Sequence, residues 1–140
     1  MRGCYALLME LTESTGISVG KLGDFTFPKG FYVYVGSAMN GVESRIRYHL
    51  KKLKRPHWHI DYLLKQASVR RIALYQTQER LECPIARALS QDFPSIPGFG
   101  SSDCKCNSHL YFGTESDRLE EAISRVTGSP VLVLSPDYFL

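Results

Sequence analysis

Apolar residues run almost unbroken through positions 3–11 (GCYALLMEL), which predicts a buried strand at the start of the chain. Residues 12–16 (TESTG) have the composition of a hairpin turn, and 17–22 return as a second strand. Positions 24–29, with Pro28, read as a loop, and 31–36 (FYVYVG) as a third strand rich in aromatic and β-branched residues. Asn40-Gly41 breaks that pattern. Val42, Ile46, Leu50 and Leu53 then recur at helical spacing, predicting an amphipathic helix over 42–53 that Pro56 stops. A second helix is expected over 58–66 (WHIDYLLKQ), a fourth strand over 69–76, and a third helix over 79–90 whose start Pro84 kinks or delays. Residues 93–107 are irregular, and 109–113 form a fifth strand. Thr114 and Asp117 make a capping box for a last helix ended by Gly128, and 131–134 add an edge strand.

The resulting order is β-β-β-α-α-β-α-β-α, with no internal repeat or linker, so residues 1–140 are expected to form one domain. The first three strands lie too close together for helical crossovers. At least part of the sheet must therefore be antiparallel, which predicts an α+β fold.

No apolar run approaches the roughly 20 residues that a membrane helix needs, and the chain runs straight into a strand without the pattern of a signal peptide. A cytoplasmic location without membrane contact is the expectation. The net charge of +3 is too small to name a partner, but its distribution is uneven. Arg45, Arg47, Lys51, Lys52, Lys54 and Arg55 follow one another without an acid, whereas Glu115, Asp117, Glu120 and Glu121 gather late in the chain. Such a block is either a solvated helix face or a surface for a polyanion, of which nucleic acid is the usual one.

Candidate chemistry begins beside that block. Strand alternation points Tyr32, Tyr34 and Gly36 one way and Phe31, Val33 and Val35 the other, with the all-apolar side expected to face the core. Tyr5 shares a face with Gly3 and Leu7, so adjacent first and third strands would bring Tyr5 and Tyr34 into one polar cleft. Arg45 and His49 stand four apart on the helix, at the edge of its apolar stripe.

Gly3-Cys-Tyr5, Tyr34-Val-Gly36, Arg45, His49 and a later glutamate together resemble the GIY-YIG nuclease pattern, with Glu82 fitting the glutamate best and Glu79 competing. The stretches WHIDYLL (58–64) and GFGSSDC (98–104) extend the likeness over nearly the whole chain, toward compact stand-alone Uri-type endonucleases, also described as a domain of unknown function. The resemblance implies a GIY-YIG-like domain with a small, largely antiparallel mixed sheet flanked by helices. It implies a divalent-metal-dependent endonuclease that hydrolyses phosphodiester bonds in DNA, favoured over RNA, in single-stranded or structured substrates and in a repair context. Tyr5, Tyr34, Arg45, His49 and Glu82 would be catalytic, and Glu82 would hold one Mg2+ or Mn2+. Beside that pattern, Ser37, Arg47, Lys51, Lys52, Lys54 and Arg55 are expected to contact the nucleic acid. Many members carry an asparagine after the glutamate helix, for which Asn107, Asp103 and Ser102 are the candidates. Targeting would come from DNA structure, a protein partner or a second copy of the chain. The rival readings are a non-catalytic nucleic-acid-binding module and a zinc-stabilised protein-interaction domain.

Cys104, Cys106 and His109 form a Cys-x-Cys-x2-His run that Cys83 could complete as a structural zinc site. Cys-x-Cys is a poorer chelate than Cys-x2-Cys, so reduced, partly buried thiols are the expectation for these residues and Cys4, with zinc the alternative. His57, His59 and Asp61 alternate as a metal trio would on a strand, but they fall in a segment that reads as helix. Trp58 is expected to anchor that helix rather than stack on bases.

Overall fold

In a computed structural model that describes residues 2–51, 54–101, 104–125 and 131–140, the strands β1 (Gly3–Leu11), β4 (Gly30–Ala38), β5 (Ser68–Gln76), β6 (Leu110–Gly113) and β7 (Val131–Leu134) form one sheet in the order β6-β4-β1-β5-β7. Every pairing in it is antiparallel, with no parallel pair among the described residues. The fold is α+β. Strand β1 lies at the centre and pairs with β4 along its whole length, from Gly3 opposite Ala38 to Leu11 opposite Gly30.

That central place explains the uninterrupted apolar run of β1, because both of its faces are covered. Tyr5, Leu7, Met9 and Leu11 pack with Val42 and Ile46 of α1 (Val42–Leu50) and Ile60 and Leu63 of α2 (His59–Leu64). Cys4, Ala6 and Leu8 pack on the other side with Ile85 and Leu89 of α3 (Glu82–Ser90) and Leu119 and Ile123 of α4 (Ser116–Arg125). The Phe31/Val33/Val35 face is therefore not the single core side. Tyr34, expected in a polar cleft, is 7% exposed, and Tyr32 on the same face is 0% exposed. A sheet with helices on both faces buries even its tyrosines, which then need polar partners.

Three segments differ from the sequence reading, the first being the expected turn at 12–16 and return strand at 17–22: the strand instead covers Thr15–Val19, gives way to a 3-10 turn at Gly20–Leu22 and does not pair with β1. Residues 24–29 were expected as a loop, but β3 (Gly23–Phe27) pairs with β2 (Thr15–Val19) in a separate two-stranded ribbon, joined by a 3-10 turn at Gly20–Leu22. Phe25 and Phe27 alternate with exposed Asp24 and Thr26, a period of two that the neighbouring Pro28 obscured. Helix α3 begins at Glu82 rather than 79, which puts Pro84 in the first turn, where its missing N–H costs nothing. The first intrahelical bond runs from Ile85 N to Leu81 O at 2.9 Å. Helix α1 is described to Leu50; Leu53, and the Gly128 stop expected for α4, lie outside the described residues. No helix among the described residues is long and apolar enough to cross a membrane.

Candidate active site

The β1–β4 register sets the geometry. Tyr5 stands opposite Gly36 and Leu7 opposite Tyr34, so the two tyrosines are diagonal neighbours on one face, with ring centroids 6.4 Å apart. A methyl group at Gly36 would lie 2.5 Å from the Tyr5 Oη and 2.6 Å from its Cζ, so only glycine lets the phenol lie across β4. Gly41, at φ +148°, then turns the chain into α1 and faces Arg45 and His49 toward the same place.

The closest contact of the site is between Tyr5 Oη and His49 Nε2, at 2.7 Å. His49 is 2% exposed. Burial disfavours its cation and lowers its pKa below the ordinary histidine value, against the opposing pull of Asp61. A neutral ring that accepts from Tyr5 carries its proton on Nδ1. That atom faces Asp61 Oδ1 at 3.8 Å, and these two are buried polar atoms with no hydrogen-bond partner among the described residues.

Asp61 is the residue whose role the sequence hid. It is fully buried, and its Oδ2 accepts from the main-chain N–H of His57 at 2.7 Å, that of Trp58 at 2.9 Å, and Tyr48 Oη at 3.2 Å. Burial alone would raise its carboxyl. Its interaction with His49, the Trp58 and His57 N–H groups and the Lys54 charge outweigh that and hold it at about 2. It is thus an ionised cap of α2 that also backs His49. The metal trio suggested by His57, His59 and Asp61 does not form: His57 is exposed, and His59 Nδ1 accepts from Gly100 N at 2.9 Å.

Arg45 lies at the half-buried rim. Its guanidinium stacks over Trp58 at 4.4 Å, and Nη1 donates to Ser37 O at 3.3 Å. Trp58 is a partly buried neighbour of the core, in keeping with an anchor. Burial raises the Tyr5 phenol well above its usual range and that of Tyr34 to about 12; the Arg45 charge works against both shifts. Glu82, half-buried in the first turn of α3, acts electrostatically on Tyr34, and its Oε2 lies 3.9 Å from Cys4 Sγ. Glu79 is exposed in the preceding loop. Glu82 is not part of any group of three or more potential metal ligands among the described residues.

The basic block divides. Arg47, Lys51 and Arg55 are exposed, and Ser37 is half-buried with its Oγ accepting from Arg80 at 3.4 Å. Lys54, expected to contact nucleic acid, is engaged within the chain. Its ammonium donates to Tyr48 O, His49 O and Lys51 O at 3.1, 2.8 and 3.0 Å, and its side chain is only 6% exposed. It caps the C-terminus of α1, where orphan carbonyls attract a cation. Lys52, Ser102 and Asp103 lie outside the described residues. Asn107 Nδ2 donates to Ser95 Oγ at 3.0 Å and is engaged there.

Cys83, Cys104, Cys106 and His109 place one ligand atom each within 4.8 Å of one another, a Cys3His cluster that could hold a metal ion. Cys4 is not part of this group and is buried on β1, on the face packed against α3 and α4.

A family model described as Domain of unknown function DUF123 matches residues 4–130. No curated protein and no solved structure matches the chain.

Proposed function

We propose, from the premise that the chain belongs to the DUF123 family, that it is a metal-dependent phosphodiesterase of the GIY-YIG type acting on DNA. The observation that carries the reading is convergence. Tyr5 from β1, Tyr34 from β4 and His49 from α1 are in mutual ring contact, with Tyr5 and His49 bonded at 2.7 Å, and Arg45 from α1 and Glu82 from α3 both act electrostatically on Tyr34. These are the residues that the resemblance to GIY-YIG nucleases selects.

Phosphodiester hydrolysis needs a deprotonated water, positive charge on the non-bridging oxygens and stabilisation of the leaving oxygen. Arg45, anchored by Ser37 and Trp58, presents a planar guanidinium that matches phosphate geometry. Glu82 is the residue that would hold Mg2+ or Mn2+, and a bound ion would supply further charge against the phosphate.

The buried tyrosines are poor bases by themselves, since a phenol with a pKa of about 12 is almost never ionised at neutral pH. A relay avoids that difficulty. As the water gives its proton to the Tyr5 oxygen, Tyr5 passes its own proton 2.7 Å to His49 Nε2, and no free phenolate forms. The imidazolium that results faces the Asp61 carboxylate, which stabilises it. Asp61 acts through His49 and is a positioning residue.

The test is a cleavage assay on labelled single-stranded, duplex and branched DNA with Mn2+ and with EDTA. Metal-dependent cleavage of at least one substrate is expected. Salt-sensitive binding with no cleavage under any metal would favour the non-catalytic module instead.

A further inference from the structure

The Cys3His cluster lies outside the proposed relay and has its own structural logic. Cys83 sits in the first turn of α3, His109 immediately precedes β6, and Cys104 and Cys106 come from the loop between these elements. Cys104 Sγ lies 3.4 Å from His109 Nε2, and Cys83 Sγ lies 3.9 Å from the same nitrogen. Tetrahedral zinc with bonds of about 2.3 Å to sulfur and 2.0–2.1 Å to nitrogen sets its ligand atoms about 3.6 Å (S to N) and 3.8 Å (S to S) apart. The measured separations straddle the first value, and all four ligand atoms lie within 4.8 Å of one another. Binding therefore needs only small side-chain adjustments.

We propose that Cys83, Cys104, Cys106 and His109 form a structural zinc centre that clamps the 98–109 loop onto the first turn of α3. Three thiolates and an imidazole are the donors that zinc prefers, whereas Mg2+ and Ca2+ take oxygen. Four protein ligands leave no open position, so the centre is structural. Three thiolates and one dication sum to −1, and Arg87 and Lys105 line the cleft beside Cys83 and Cys106 to offset it.

The loop gives the clamp a purpose. In it Phe99 is fully buried against Tyr34, with ring centroids 6.2 Å apart. Gly100, at φ +70°, passes so close that a methyl group there would lie 2.8 Å from Tyr34 Cε1. Main-chain bonds from Gly98 N to Asn107 O (2.7 Å) and from His109 N to Phe99 O (2.8 Å) close the loop on itself. Zinc would add the covalent-strength tie from that loop to α3 and offset the entropy of ordering it. The tie also fixes the neighbour of Glu82; that clause alone rests on the nuclease reading.

The test uses the full-length, tag-free chain, purified without chelator, and reads metal rather than cleavage. About one zinc per chain is expected by elemental analysis, falling at least tenfold in the Cys104→Ser/Cys106→Ser double variant. Cobalt added to metal-stripped wild-type protein should give the visible bands and thiolate charge transfer of a tetrahedral sulfur-rich site. Stripping zinc should lower the melting temperature, and re-adding it should restore it. Wild-type protein that stays free of zinc after exposure to a stoichiometric amount would overturn the proposal, as would a double variant that keeps its metal or an octahedral cobalt spectrum. The wild-type measurements decide the matter even where the variant fails to fold. Zinc bound without any cleavage would leave the clamp standing and count against the nuclease reading alone.

Discussion

Replacing Asp61 by Asn keeps the shape of the side chain and removes only its charge. The three donors on Oδ2 keep an acceptor, while the new amide NH2 meets His49 Nδ1–H and the Lys54 ammonium, where Oδ1 now lies 3.8 and 3.9 Å from those nitrogens. The cost follows from proton linkage. A carboxyl held at about 2 in the folded chain, against 3.8 when unfolded, stabilises the fold by about 2 kcal/mol at pH 7. Because the folded pKa is depressed, this contribution is complete above the unfolded value and is lost as pH falls through the folded one. About 1 kcal/mol remains at pH 3. Urea unfolding of wild type and Asp61→Asn at both pH values is the assay. At pH 7 the variant's midpoint should fall by roughly 1 M and its melting temperature by roughly 5–8 °C. The gap should narrow by about half at pH 3. A variant within about 0.5 kcal/mol of wild type at pH 7, or a gap that ignores pH, would refute the assignment of Asp61 as a stabilising buried anion.

The remaining predictions concern the relay and its surroundings. Gly36→Ala should destabilise the chain by about 1–3 kcal/mol, because its methyl group displaces the Tyr5 ring; urea unfolding measures this, and a neutral substitution would mean that the phenol does not lie across β4. Since His49 works as a neutral acceptor with a depressed pKa, the cleavage rate should rise with pH through a value below the ordinary 6.5 and level off by neutrality, as a pH–rate profile would record. A limb rising above pH 8 would implicate a phenol instead. Lys51→Ala should reduce the slope of log affinity for DNA against log salt by about 1, with stability unchanged. Lys54→Ala should leave that slope alone and cost about 1–3 kcal/mol of stability, since it strips a buried cap from three carbonyls.

The parts of the fold that follow a single period were readable in advance. Strand β1 is apolar because it is covered twice and α1 carries its stripe at Val42, Ile46 and Leu50, whereas the alternation of β4 misassigned its faces, both of which are buried. The approach of Tyr5 to Tyr34 followed once the first and third strands were taken as neighbours; the bond from Tyr5 to His49 did not. What stayed hidden depends on contacts between segments distant in sequence, or on competing local signals. Asp61 looked like one of three alternating metal ligands, and only the bend at 54–58 reveals that it caps α2 beneath His49. Lys54 looked like one more exposed cation in a basic run, until the end of α1 supplied three carbonyls for it. The Phe25–Phe27 alternation was real but sat between turn residues. Cys83 was named as a possible fourth ligand beside Cys104, Cys106 and His109, but the poor Cys-x-Cys spacing weighed against zinc, and only the fold brings the four ligand atoms within 4.8 Å of one another.

The most direct trial of the central claim is single-turnover cleavage of a labelled DNA substrate in Mn2+ by wild type and by Glu82→Ala, with both proteins shown by circular dichroism to be folded. Wild type should cleave, EDTA should stop it, and the variant should lose at least a hundredfold in rate while retaining its affinity for DNA. Cleavage that persists in EDTA, or a variant as active as wild type, would contradict the account.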